Sequence, residues 1–223
     1  MSPNRLLSRL SPADFRLLET HLEATDLPVR KPLEARKKRV EDVYFIESGM
    51  ASVVANGASE RPIEVGIIGR EGMTGLSVVM GNNDRAAHET YMQIAGKGQR
   101  LAAGALSKAI SKSVTLHQAL LRYAHAFMVQ TTQTALANGR SKIEERLARW
   151  LLMAADRVDG NEIPLTHEFL ATMLGTARPG VTIALQELER GGFIGHKRGL
   201  VTILDREGLE KHSNGTYTPA NGD

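Results

Sequence analysis

The chain of 223 residues is 42% hydrophobic and 24% charged, enough to bury one large core or two modest ones and too apolar for disorder. No apolar run reaches the length of a membrane span, and an N-terminus carrying Arg5, Arg9, Asp14, Arg16 and Glu19 fits neither a signal peptide nor an anchor. The absence of cysteine excludes disulfides, thiolate-bound zinc and thiolate-held iron–sulfur clusters, so a cytoplasmic protein with no membrane partner is expected. A net charge of +3 is small for this length, and its excess sits in residues 1–40, including the run Arg36-Lys37-Lys38-Arg39. Nucleic-acid binding therefore has to be argued from local placement, not from bulk charge.

The chain opens with a helix signal. Ser11 is a good N-cap, Pro12 fits the first helical position, and Phe15, Leu18 and Leu22 recur at helical spacing. From about Thr25 to Leu106 the texture changes. The β-rich pieces Val43–Ile46, Ala51–Val54, Glu64–Ile68 and Thr90–Ile94 alternate with Gly- and Asn-rich turns, and close to half of the 21 glycines fall between Gly49 and Gly104. Short strands with regular turn signals predict an all-β roll, barrel or sandwich.

Helix formers take over from Leu106 to Arg157. Leu116, Leu120, Tyr123 and Phe127 step by three or four residues and continue into the smaller, more polar Gln130 and Thr134. This stripe fits two arrangements equally: packing against the chain's own β-domain, or an a/d seam between two copies. Asn138-Gly139-Arg140-Ser141 predicts a break, with Ser141 capping a new helix and Glu144 completing a capping box. Ile143, Leu147, Trp150, Leu151 and Ala154 then share one face.

Residues 165–204 carry the most information. Thr166 caps a helix containing Phe169, Leu170, Met173 and Leu174, Gly175 allows a tight turn, and a second helix runs from about Arg178 to Arg190. Pro179 is tolerated in its first turn, where backbone N–H groups lack partners. Gly191-Gly192 ends it, and Phe193-Ile194 and Leu200–Leu204 form a hairpin around the turn Gly195-His196-Lys197-Arg198-Gly199. Helix, turn, helix, hairpin is the order of a winged helix-turn-helix. The N-terminal end of the second helix presents Thr176, Arg178, Pro179 and Thr182, with Gln186 one turn on. Arg can bond guanine bidentately, and Thr can contact phosphate or a thymine methyl. Thr166 and His167, at the start of the first helix, and the basic wing tip of His196, Lys197 and Arg198 complete the candidate DNA contacts.

The whole chain resembles the Crp/Fnr family of bacterial transcription regulators. The resemblance is strongest over Leu165–Gly175 followed by Arg178, Val181, Leu185, Leu188 and Glu189, and it extends to Asp42–Gly49, which matches the family's strand and turn glycine. It implies an α+β chain with four parts. Residues 1–113 form a cyclic-nucleotide-binding-like β-roll (double-stranded β-helix) sensor with flanking helices, 114–139 a dimerisation helix, 140–212 a winged helix-turn-helix, and 213–223 a flexible tail. It also implies a homodimer through Leu116, Leu120, Tyr123, Phe127, Gln130 and Thr134, a palindromic duplex-DNA site, and RNA polymerase as a further partner.

The chain departs from the family pattern at two places. Cyclic-nucleotide binders of the family use Gly-Glu for the ribose and an Arg before a small residue for the phosphate. The corresponding effector pocket here is Gly75, Leu76, Ser77, Arg85 and Ala86. Leu76 cannot accept ribose hydrogen bonds and Arg85 falls one residue early, so cyclic AMP is not the expected effector. The family's base-reading Arg, Glu and later Arg appear as Arg178, Pro179 and Ile183, so its best-known palindrome is not assumed. Composition leaves room for haem, yet no spacing singles out His88, His117 or His125, and no cofactor is expected. The sequence offers no nucleophile–base pair, nucleotide loop or metal cluster, so neither catalytic nor metal-binding residues are assigned. The competing reading is a ligand-sensing module whose C-terminal domain contacts a protein rather than DNA.

Overall fold

A computed structural model describes residues 2–56, 62–82 and 85–219, with the side chain of residue 167 outside that set. The chain divides into two compact units: residues up to Val54 together with Ile67–Val129, and Ala55–Gly66 together with the residues from Gln130 onward.

The first unit begins with helices α1 (Arg5–Ser8) and α2 (Pro12–Glu19). The chain then runs through strands β1 (Glu23–Leu27), β2 (Pro32–Glu34), β3 (Asp42–Ile46), β4 (Met50–Asn56) and β5 (Pro62–Ile68). The short helix α3 (Leu76–Val79) precedes β6 (Glu89–Ile94), β7 (Gly96–Ala102), α4 (Ala103–Lys112) and the long α5 (Val114–Arg140). The strands form a three-stranded sheet in the order β1-β7-β3 and a four-stranded sheet in the order β2-β6-β4-β5. All four apolar segments expected to be extended are strands. Gly49 makes the β3–β4 turn at φ +77°, where a Cβ would stand 2.5 Å from the Ile94 carbonyl oxygen, so no larger residue fits.

The core of this unit gathers Val43, Phe45, Met73, Leu101 and Leu106 with Leu116, Leu120 and Tyr123 of α5. The Leu116–Tyr123 stripe therefore packs on the chain's own β-domain, the first of the two arrangements the spacing allowed. Leu116 and Leu120 are fully buried, and the Tyr123 hydroxyl donates to the Met73 carbonyl at 3.2 Å. This corrects the expectation that these three face a second copy: the strands need an apolar cover, and this side of α5 supplies it. Phe127, Gln130 and Thr134, further along, are half-buried. The exposed large apolar residues of α5 are Val114, Leu121, Met128, Val129 and Leu136.

Ser11 caps α2 as expected, its hydroxyl accepting from the Asp14 amide at 3.1 Å. Asp14 is buried, and its carboxylate accepts from the hydroxyls of Ser113, Ser11 and Thr115, which ties α2 to the α4–α5 junction. The Ser113 bond, ahead of the other hydroxyls and against desolvation, lowers the Asp14 pKa. A lowered folded pKa contributes stability that is fully present above the carboxylate's unfolded pKa and is lost as pH falls through the folded value. Asp14→Asn is thus expected to unfold more readily than the parent at neutral pH, with the difference shrinking in acid. Denaturant midpoints measured across pH check this, and a constant difference down to strongly acidic pH would contradict it.

The second unit continues with α6 (Ile143–Ala155), β8 (Glu162–Pro164), α7 (His167–Leu174), α8 (Arg178–Arg190), β9 (Ile194–Lys197), β10 (Leu200–Ile203) and α9 (Arg206–His212). A three-stranded sheet, β8-β10-β9, flanks the helices. Leu147, Leu151, Leu170, Leu174, Val181, Leu185, Leu188, Ile194, Val201 and Leu209 are buried. The α5–α6 break lies slightly later than the sequence signal. Helix α5 runs through Arg140, the N-cap of α6 is Lys142 rather than Ser141, and the Lys142 amide donates to Glu145 Oε2 at 2.9 Å, so Glu145 rather than Glu144 closes the turn.

Two buried polar contacts fix α6. The Trp150 indole N–H donates to Glu64 Oε1 at 2.6 Å, and Arg149 Nε donates to the Thr216 carbonyl at 2.9 Å. Burial pulls the Arg149 pKa down to about 10, with Glu64 opposing the shift. Tyr217 donates to Asp156 at 2.8 Å, and Arg206 donates to the same carboxylate at 2.7 Å. Residues 213–217 are therefore packed rather than a free tail, because α6 needs their carbonyl and hydroxyl groups as partners.

Candidate nucleic-acid interface

The site is built from short-range signals. Thr166 caps α7, its hydroxyl accepting from the Phe169 amide at 3.3 Å. Gly175 ends the helix in the left-handed region at φ 57°, and its N–H closes onto the carbonyls of Ala171 and Thr172. A Cβ at Gly175 would stand 2.8 Å from the end of the Ile63 side chain, so the turn is tight as well as left-handed.

Helix α8 starts at Arg178 with Pro179 in its first turn. Its N-cap is Ala177, which has no side-chain oxygen to spend on the first-turn N–H groups. That end keeps its partial positive charge available to an anion. Val181, Ala184, Leu185 and Leu188 face the core, while Arg178, Pro179, Ile183, Gln186 and Arg190 are exposed. Thr176 and Thr182 are half-buried. The Thr182 hydroxyl donates to the Arg178 carbonyl at 3.2 Å, so its proton is committed to its own helix and only acceptor capacity remains.

The wing differs from its expected form. Strand β9 continues to Lys197, paired with Leu200, so the connection is the two-residue turn Arg198-Gly199, with Gly199 at φ +79°. The wider Gly195–Gly199 loop is corrected because His196 and Gly195 pair with Val201 and Thr202. Lys197 and Arg198 are exposed, whereas His196 is half-buried and donates its backbone N–H to Glu189 of α8 at 3.2 Å. Thr166 is exposed, and the side chain of His167 lies outside the described residues. Arg178, Gln186, Lys197 and Arg198 thus remain as the exposed polar groups of the expected set on α8 and the wing.

The sequence-assigned effector residues behave differently. Leu76 packs against the first unit's core and Ala86 is buried within it. Arg85 is exposed, and Ser77 is half-buried. The Gly75 amide donates to Glu34 Oε1 at 2.7 Å, and Thr90 donates to Glu34 Oε2 at 2.6 Å. The chain's own carboxylate therefore holds the Gly75 amide and the Thr90 hydroxyl. Sequence reading missed Glu34, since 41 residues separate it from Gly75 and no local pattern joins them. Among the described residues no group of three or more His, Asp or Glu side chains is placed to hold a metal ion, and no helix is long and apolar enough to cross a membrane.

A tight helix-turn-helix followed by a basic-tipped hairpin defines the winged helix-turn-helix class. Residues 145–212 match the family described as the Crp-like helix-turn-helix domain. Solved structures are similar over nearly the whole chain. A Crp/Fnr-family transcriptional regulator from Eubacterium rectale is 18% identical, with a TM-score of 0.72, over 96% of this chain and 100% of that one. A CRP-family transcriptional regulator from Thermus thermophilus is 21% identical, with a TM-score of 0.72, over 88% and 100%. The c-di-GMP-responsive global regulator CLP of Xanthomonas campestris is 16% identical, with a TM-score of 0.70, over 86% and 99%. Comparison with curated protein sequences finds no significant match. The chain carries a Crp-like helix-turn-helix domain on the fold of Crp/Fnr-family transcription regulators.

Proposed function

We propose that this chain is a cytoplasmic, homodimeric transcription regulator that binds a two-fold symmetric DNA site. The observation that carries the reading is the outer face of α8. An uncapped N-terminus, an exposed Arg178 and an exposed Gln186 belong to a helix that is followed directly by a wing with exposed Lys197 and Arg198, the order and exposure that a winged reader of the major groove has. In this reading Arg178 reads a guanine edge, and Gln186 contacts a base one turn further on. Thr166, Thr176, Thr182 and His196 line the approach, and Lys197 and Arg198 hold phosphates. RNA polymerase is the protein partner this reading implies.

The dimer is assigned to the exposed strip Leu121, Met128 and Val129 of α5, since Leu116, Leu120 and Tyr123 are spent on the chain's own core. Selection of bound duplexes from random sequence by the full-length protein tests the function. The expected product is an inverted repeat whose half-site centres lie about one helical turn apart. Recovery of no consensus would overturn the proposal.

The effector is assigned to a class other than cyclic AMP. Leu76 is turned to packing, and the amide of Gly75, at the position that matches the family's ribose-binding Gly-Glu, is already held by Glu34. Calorimetric titration with cyclic AMP is expected to show no saturable binding at low-micromolar ligand. Low-micromolar affinity would mean that another group supplies the ribose contact.

A further inference from the structure

Ile183 lies in the middle of the outer face of α8 and is 58% exposed, while the helix's other aliphatic side chains, Val181, Ala184, Leu185 and Leu188, are buried. Pro179, one turn earlier on the same face, is exposed as well, so a short apolar ridge crosses the surface that carries Arg178 and Gln186. The core does not use Ile183. A position this open on a soluble helix ordinarily takes a polar residue.

The chemistry of the major groove narrows what such a side chain can recognise. Guanine, adenine and cytosine present donors and acceptors there, and an isoleucine can neither give nor take a hydrogen bond. Thymine alone presents an apolar group, its 5-methyl. A branched aliphatic side chain on that methyl removes both from water. Opposite cytosine, the same side chain would cover the N4 amino donor and leave it unpaired. We propose that Ile183 is a base-reading residue that selects thymine through its 5-methyl group, at a position between those read by Arg178 and Gln186. The proposal rests on α8 being the recognition helix.

Deoxyuridine tests it directly, because uracil keeps every hydrogen-bonding group of thymine and lacks only the methyl. Each thymine of the selected half-site is replaced in turn by deoxyuridine, symmetrically in both half-sites, and affinity is measured for the full-length protein and for Ile183→Ala. One buried methyl corresponds to about a fourfold loss per half-site, or about fifteenfold for the symmetric duplex. The expected result is one thymine position with a loss of that size in the parent and none in Ile183→Ala, with non-specific binding equal in the two proteins. If the parent binds its selected site specifically but is indifferent to uracil at every thymine, or if the loss persists in Ile183→Ala, the thymine assignment is overturned while DNA recognition stands. If neither protein prefers any duplex, the recognition-helix reading and this inference fall together.

Discussion

Arg178→Ala is expected to weaken binding to the selected duplex by about 1–3 kcal/mol per half-site and to relax preference at one base position. Non-specific binding should change much less, because a base contact carries sequence information whereas phosphate contacts set the background. The side chain is exposed at the first position of α8, so the substitution removes no core contact and the fold is preserved. The contrast is the double variant Lys197→Ala with Arg198→Ala. Both cations sit at the two-residue wing turn, where phosphate contact is expected. Their removal should weaken specific and scrambled duplexes alike and flatten the salt dependence by about two counterions per wing. Affinity for both duplexes over a salt series reads the two effects. An Arg178→Ala protein with unchanged affinity and base preference would refute the assignment of α8, and a wing variant that loses specificity would exchange the two roles.

The second large effect concerns assembly. Leu121→Glu combined with Met128→Glu places carboxylates on the exposed strip of α5 and, across a two-fold axis, beside their own copies. Like charges brought together in an interface cost on the order of several kcal/mol, so the double variant should sediment as a monomer at concentrations where the parent is a dimer. It should also lose most affinity for the symmetric site, since a single half-site forfeits the gain from linked binding. Leu120→Ala is the informative control. Leu120 is fully buried in the chain's own core, so this change should cost about 2–5 kcal/mol of stability without selectively dissociating the dimer. A parent protein that sediments as a monomer at micromolar concentration would contradict the dimer outright.

The parts of the fold legible in the sequence are those set by neighbours along the chain. Thr166 caps a helix three residues on, Gly175 takes the left-handed turn that only a residue without Cβ adopts easily, and Gly49 sits where a strand must reverse against a carbonyl. Each is a local decision, and each is visible as a residue type at a fixed offset. The α5 stripe was harder because periodicity marks an apolar face without naming what covers it. Leu120 and Leu121 are adjacent in sequence, about 100° apart around the helix, and one is buried while the other is 39% exposed. The capping residue Lys142 and the turn at Arg198-Gly199 differ from the sequence signals by a few positions, as happens where several residues offer similar chemistry. Glu34, Glu64 and Asp14 could not be read at all as partners of Gly75, Trp150 and Ser113, because those contacts exist only once the strands and helices have met.

Binding of the full-length protein to its selected duplex and to a scrambled duplex of equal length, each over a range of salt, decides whether the chain recognises DNA sequence. The expected result is a preference for the selected duplex of about a thousandfold or more at physiological salt, with both affinities falling steeply as salt rises. Equal affinity for the two duplexes, or an interaction indifferent to salt, would contradict it.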